Sequence, residues 1–201
     1  MPRRAILLIS ATLLLLAIAI GSTSLLLRPP PDGSGTGVAL VGGPFSLVDH
    51  TGKRVSERDF RGRFMLVFFG YTYCPDVCPT ELQVMTAALD QMGAGADKIQ
   101  PVFISIDPER DTPEVLASYV ENFGPGLVGL TGTSEEIASV AKAYRVFYSK
   151  AGKTGSDEYL MDHSSILYLM GPDGGFVKHF TYTTDASALA ANLKKILISS
   201  P

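Results

Sequence analysis

The stretch "RFMLVFFGYTYCPDVCPTEL", residues 63–82, decides the fold. Its opening, Arg63 to Gly70, is a continuous apolar run of strand length, the pattern of a strand buried on both faces. Pro79 stands where a first helical residue is expected, and Leu82, Met85, Ala88, Leu89 and Met92 then recur at helical spacing. Between the strand and the helix lie Cys74 and Cys78, the only two cysteines of the 201-residue chain.

Working outward, Phe45, Leu47 and Val55 alternate around "DHTGK", which predicts a hairpin with Gly52 in its turn. "PVFISI", Pro101 to Ile106, reads as a second buried strand. "DTPEVLASYVENFG" predicts a helix with Thr112 as N-cap, Pro113 at the first position and Gly124 past its end. "TSEEIASVAKAYRV" opens with a capping box, Thr133 to Glu136. "SSILYLMGPDGGFVKHF" reads as two strands around a turn, and "DASALAANLKKIL" as a closing amphipathic helix. The expected order is hairpin, β, α, β, α, α, β, β, α. Such alternation argues an α/β domain, a mixed sheet with helices on both faces. Cysteines at a strand-to-helix junction are where a thioredoxin-type fold carries its redox pair.

The N-terminus indicates export. Ala5 to Leu27 carries no charge and follows Arg3 and Arg4. About 20 apolar residues span a bilayer as a helix, and the positive-inside rule keeps the arginines in the cytoplasm. Residues 1–28 are read as a signal-anchor with a single crossing. The rival is a signal peptide cleaved near Ala17-Ile18-Ala19, but Leu25 to Leu27 extend the apolar run past that point. Residues 29–40, rich in proline and glycine, form a spacer, and residues 41–201 one domain. Arg3, Arg4 and Arg28 are three of the 17 basic residues, and no acid precedes them. The remainder therefore carries 14 basic against 20 acidic groups, a balance of −6. With no basic patch, nucleic acid is not an expected partner.

In an exported domain two cysteines can be a structural disulfide, a redox couple or part of a metal site, and the spacing alone leaves all three open. Cys78, next to Pro79, is expected near the helix N-cap, where free N–H groups favour a thiolate. Of the three histidines, His50 in the hairpin turn and His179 at a strand end read as surface residues. His163 precedes the buried strand Ile166 to Met170, in the segment that packs beside the cysteine pair of thioredoxin-like folds and usually carries a cis-proline. Two thiolates and one imidazole make a soft site that suits copper, Cu(I) or Cu(II), with zinc behind because its structural sites want four ligands.

Asp107 in "DPERDTP" reads as a turn residue bonded to nearby N–H groups, Asp76 and Asp162 as solvated loop residues, and Met161 as packing. Tyr71 and Tyr73 are expected to line the site. The segment "SKAGKTGSDEYLMD" reads as a long loop able to carry His163 onto a metal.

"GYTYCPDVCPTEL", "SIDPERDTPEVLASYV", "LTGT", "YRVFYS" and "YLMDHSSILYLMGPDGGFV" together resemble the Sco/SenC family over about Phe45 to Leu197. The resemblance implies a membrane-anchored, thioredoxin-like domain, of the peroxiredoxin type. It implies copper ligands at Cys74, Cys78 and His163, and a part in assembling the binuclear copper centre of cytochrome c oxidase subunit II. The implied partners are the apo form of that subunit and a periplasmic copper chaperone as donor. The implied place is the cytoplasmic membrane, with the domain on the periplasmic side. Ligand exchange by a metallochaperone is then expected ahead of enzyme turnover. The alternatives are a thiol-disulfide oxidoreductase using Cys74 and Cys78 on the cysteines of that copper site, and a purely structural disulfide.

Overall fold

The computed structural model describes residues 41–152 and 159–199. The segments read as anchor (1–28) and spacer (29–40), and part of the loop before His163, lie outside those residues. Among the described residues no helix is long and apolar enough to cross a membrane.

In chain order the elements are β1 (Ser46–Asp49), β2 (Arg54–Ser56), β3 (Phe64–Gly70), α1 (Val77–Met92), β4 (Ile99–Ser105), α2 (Pro113–Val120) and β5 (Val128–Thr131). There follow α3 (Ser134–Tyr144), β6 (Tyr148–Ala151), β7 (Leu160–His163), β8 (Ile166–Met170), β9 (Phe176–Thr181) and α4 (Ala186–Ser199). Seven strands form one sheet in the order β2-β1-β5-β4-β3-β8-β9, and β6 and β7 pair apart from it. The pairs β3–β4 and β4–β5 are parallel and the others antiparallel, so the sheet is mixed.

Every residue of β3 is buried, as its unbroken apolar run requires. Successive strand side chains point to opposite faces. On one face Phe68 meets Phe103 of β4, which meets Tyr119 of α2; on the other, Phe69 meets Tyr144 of α3. The helices thus cover both faces, and α4 packs against α1. Burial of each such ring contributes about 1.5–3 kcal/mol.

The capping residues act as their chemistry dictates. Thr112 accepts from the N–H of Val115 ahead of Pro113, and Thr133 and Glu136 form the reciprocal box. α1 begins earlier than the sequence suggests, at Val77, which makes Pro79 its third residue. Proline is tolerated there because the N–H it lacks has no partner within the helix.

Three strands, β5, β6 and β7, stand outside the order expected from the sequence. β5 is four residues long and holds Gly129, where a Cβ would lie 3.0 Å from Val120 Cγ1 of α2. Close approach of helix to strand selects the glycine that weakens the strand signal. Strands β6 and β7 occupy the ends of the segment expected to be a loop. His50 also departs from expectation. It is half-buried, and its Nδ1 accepts from the N–H of Gly129, tying the first hairpin to β5. His179 is exposed, stacked on Phe176.

The parallel strands β3 and β4 end at the same edge, where the N–H of Ile106 donates to the carbonyl of Gly70. Loops leaving the carboxyl ends of such strands are where open α/β sheets place their sites.

Candidate metal centre

The turn after β3 carries Cys74, whose N–H donates to the carbonyl of Tyr71. Asp76, at the N-cap of α1, makes no side-chain capping bond. The helix instead directs the N–H of Cys78 to Cys74 Sγ at 3.4 Å, so a sulfur takes the place of the usual capping oxygen. Cys78 thus lies near the N-cap as expected, but it is fully buried and donates its N–H to Cys74, so the sulfur that the helix end favours is that of Cys74 and not its own.

The two thiols are therefore unequal. The hydrogen bond from the Cys78 side chain, helped by the Cys78 N–H, outweighs burial and brings Cys74 down to about 3. The same side-chain bond, and then burial, push the Cys78 thiol up. Both cysteines are free, Cys74 half-buried and Cys78 buried.

His163 closes β7 opposite Tyr148 of β6. Its Nε2 lies 3.4 Å from Cys78 Sγ and its Nδ1 3.2 Å from the carbonyl of Ser164. A carbonyl only accepts, so Nδ1 holds the proton and Nε2 offers its lone pair toward the sulfurs. Phe68 and Tyr71 meet the imidazole edge to face. The two sulfurs and the ring nitrogen all lie within 4.8 Å of one another. Residues 85 positions apart thus present two soft sulfurs and one imidazole to one point, a donor set that fits copper.

Around the donors, Tyr71 is buried and Tyr73 exposed, Met161 packs inward, and Asp76 and Asp162 are exposed. Asp107 opens a turn as expected, its carbonyl accepting from the N–H groups of Arg110 and Asp111, but the acids of "DPERD" do more than turn the chain. Asp111 is fully buried and accepts from the N–H of Thr72 at 3.0 Å, Thr72 Oγ1 at 2.6 Å and Ser105 Oγ at 2.6 Å. It ties the cysteine turn to the end of β4. Asp107, also buried, holds Arg110 and reaches Tyr159 across 52 residues. Only the crowding of charged residues with Thr and Pro in that motif hinted at this role.

A thioredoxin-like domain with a Cys-Cys-His cluster where its redox pair would stand is a defined class of protein. The sequence profile of the SCO1/SenC family matches residues 33–198, and the chain belongs to that family. It is 48% identical over 159 residues to the human protein named "Protein SCO1 homolog, mitochondrial", covering 78% of this chain and 53% of that one. The chain thus spans about half the length of such curated relatives. Among solved structures it resembles copper-bound ScoI of Arabidopsis thaliana, with 46% identity, a TM-score of 0.74, and 79% and 99% of the two chains covered. Copper-bound ScoI of Bradyrhizobium japonicum matches at 46% identity and a TM-score of 0.71, covering 77% and 98%.

Proposed function

We propose that the domain is a copper metallochaperone that holds one copper ion as cargo between Cys74 Sγ, Cys78 Sγ and His163 Nε2. The observation that carries this reading is the convergence of the three donors within 4.8 Å. The copper in two structures with 46% identity supports it. The chemistry is exchange of ligands, in which thiolates of an acceptor replace those of Cys74 and Cys78. Half-exposed Cys74 is the accessible end of that exchange, and buried Cys78 with His163 retains the ion until it departs. The acceptor is the apo form of cytochrome c oxidase subunit II, and the donor another periplasmic copper chaperone. Residues 1–28 anchor the protein once in the cytoplasmic membrane, residues 29–40 act as a spacer, and residues 41–201, of peroxiredoxin type, work on the periplasmic side.

The test is an anaerobic titration of the reduced domain with Cu(I) and Cu(II), followed by absorption and native mass. One copper per chain, lost after alkylation of both cysteines, is expected. Copper binding indifferent to alkylation overturns the assignment.

The free, unequal thiols favour a second reading, in which Cys74 attacks a disulfide on the acceptor and Cys78 resolves the mixed disulfide. The acceptor would leave as a dithiol and this pair as a disulfide.

A further inference from the structure

On the reading that this site carries copper, we infer that Arg110 is a positioning residue. With Asp107 and Tyr159 it forms a clasp that seats the β6–β7 hairpin so that His163 reaches the cysteine pair, and the clasp thereby sets the site's hold on Cu(II) over Cu(I).

The hairpin needs such a device. Two paired strands alone are at best marginally stable in water, and among the described residues this pair shares no hydrogen-bonded neighbour in the seven-stranded sheet. On one side, the N–H of Ser164 donates to the carbonyl of Phe147 and Ser164 Oγ accepts from the N–H of Phe147, closing the hairpin on itself. Beside the buried Met161 and the Lys150–Glu109 pair, it is attached to the body at Tyr159, just ahead of β7. Arg110 Nη1 donates to the Tyr159 carbonyl at 3.0 Å, and Tyr159 Oη donates to Asp107 Oδ1 at 2.7 Å. The guanidinium lies 3.8 Å from the centre of the Tyr159 ring and is paired through Nε with Asp107. Asp107 is 1% exposed and Arg110 22%, so this pair is shielded from water, unlike the exposed Lys150–Glu109 pair that also joins the hairpin to the loop after β4.

The clasp also faces the cysteines. The other reach of the guanidinium is to the ring of Tyr73, 4.8 Å away, next in sequence to Cys74. One side chain therefore meets both the turn that carries the first sulfur and the residue that leads into the strand carrying the imidazole. Four residues of extended chain, about 13 Å, separate Tyr159 from His163. A strand held at its start by Arg110 delivers its last residue to a fixed point.

The consequence depends on which ion is held. Two thiolates suffice for Cu(I), whereas the imidazole is what suits the site to Cu(II). Loosening the hairpin withdraws the imidazole and leaves the sulfurs.

The experiment is a double-mutant cycle on the reduced domain: wild type, Arg110→Gln, His163→Ala and the double variant. Cu(I) and Cu(II) affinities are measured by competition with chelators. Arg110→Gln is expected to weaken Cu(II) by about ten- to hundredfold, the usual effect of removing a group that orients a metal-binding histidine. Cu(I) affinity should hold, and in the His163→Ala background the change should add nothing. Tyr159→Phe, which removes one hydroxyl, should give a smaller loss of the same kind. In the metal-free protein, amide exchange across Leu160–His163 should quicken in both clasp variants while that of β3 does not. Equal losses for the two ions, undiminished loss without His163, or unchanged exchange at β7 each overturns the clasp. Failure of the wild type to bind either ion would refute the copper reading, and the exchange measurement would still decide whether Arg110 seats the hairpin.

Discussion

The backbone N–H of Cys78 donates to the Sγ of Cys74, so the first sulfur caps the helix that begins beneath it. Negative charge at a helix N-terminus is favoured by the free N–H groups and the dipole, and here it falls on the half-buried thiol. Iodoacetamide should therefore modify Cys74 well before Cys78 in the metal-free reduced protein, since the thiolate is the nucleophile. With Cys74 down at about 3, its ionised fraction is complete above roughly pH 5. The labelling rate should be flat from there to neutrality, and fall only as acid approaches the lower value. Peptide mapping after brief labelling checks the site, and stopped aliquots check the profile. A rate that climbs toward pH 8.5 would mark an ordinary thiol and remove the capping account.

Gly70 is where the sheet and the metal turn come closest. A Cβ there would lie 2.8 Å from Cys78 Sγ, 2.9 Å from Phe103 and 3.1 Å from Phe68. Neither the rings nor the sulfur has room to give, since all three residues are fully buried. Gly70→Ala should cost about 1–3 kcal/mol, as overpacked cores do, and weaken copper by displacing Cys78. Gly126→Ala, with nothing within 4 Å of the added carbon, should stay within about 0.5 kcal/mol of wild type. Urea unfolding of the two variants makes the comparison. Equal stability would show that Cys78 can move freely.

Asp111 gives a pH dependence of stability with a definite sign. Burial, the leading cause, raises its carboxyl above 3.8 despite the hydrogen bonds from Ser105 and Thr72. The folded state thus holds this proton longer than the unfolded chain. Stability falls as pH rises from 3.8 through the folded value, because the folded state then binds the extra proton. Asp111→Asn removes that dependence. The stability of wild type minus that of the variant should be greatest near the acid end and shrink toward neutrality, read from urea midpoints at several pH values. A difference that grows with pH would mean the hydrogen bonds win over burial.

The core of the fold was legible because it rests on local, periodic signals. The buried run of β3, the apolar stripe of α1, and the caps at Thr112 and Thr133 each follow from side chains within one turn or one strand. β5 was not legible, since its Gly129 serves the packing of α2. Nor were β6 and β7, whose pairing is set by distant contacts. At the site, the strand-helix junction placed Cys74 and Cys78, but His163 was gathered to them through the layout of thioredoxin-like folds and the family resemblance. Which thiol carries the charge depended on a start for α1 two residues earlier than Pro79 suggested. Asp107 and Asp111 act through partners 52 and 39 residues away, which no spacing rule reaches.

The membrane topology proposed for the first 28 residues can be checked directly. Arg3 and Arg4 ahead of the uncharged Ala5 to Leu27 predict one crossing with the domain outside. Protease added to intact spheroplasts should digest the domain while a cytoplasmic marker survives. Protection of the domain would reverse the orientation, and release of intact domain into the periplasmic fraction would indicate cleavage near Ala19.

His163 separates copper delivery from disulfide exchange. Exchange needs the sulfurs alone, whereas the imidazole stands 3.4 Å from Cys78 Sγ and completes the donor set. His163→Ala should weaken Cu(II) binding by at least about tenfold while leaving the dithiol free to reduce a model disulfide at near the wild-type rate. Replacing Cys74 or Cys78 by serine should abolish both properties, so cysteine variants alone cannot divide the roles. Oxidised protein should bind almost no Cu(I), because metal binding requires the deprotonated thiols. The deciding measurement is assembly of the oxidase copper centre in cells carrying His163→Ala, without added copper. Loss of oxidase activity alongside intact disulfide exchange is the outcome expected of a chaperone. Normal assembly with His163→Ala, together with failure of the serine variants, would make reduction of the acceptor's cysteines the essential work of the pair.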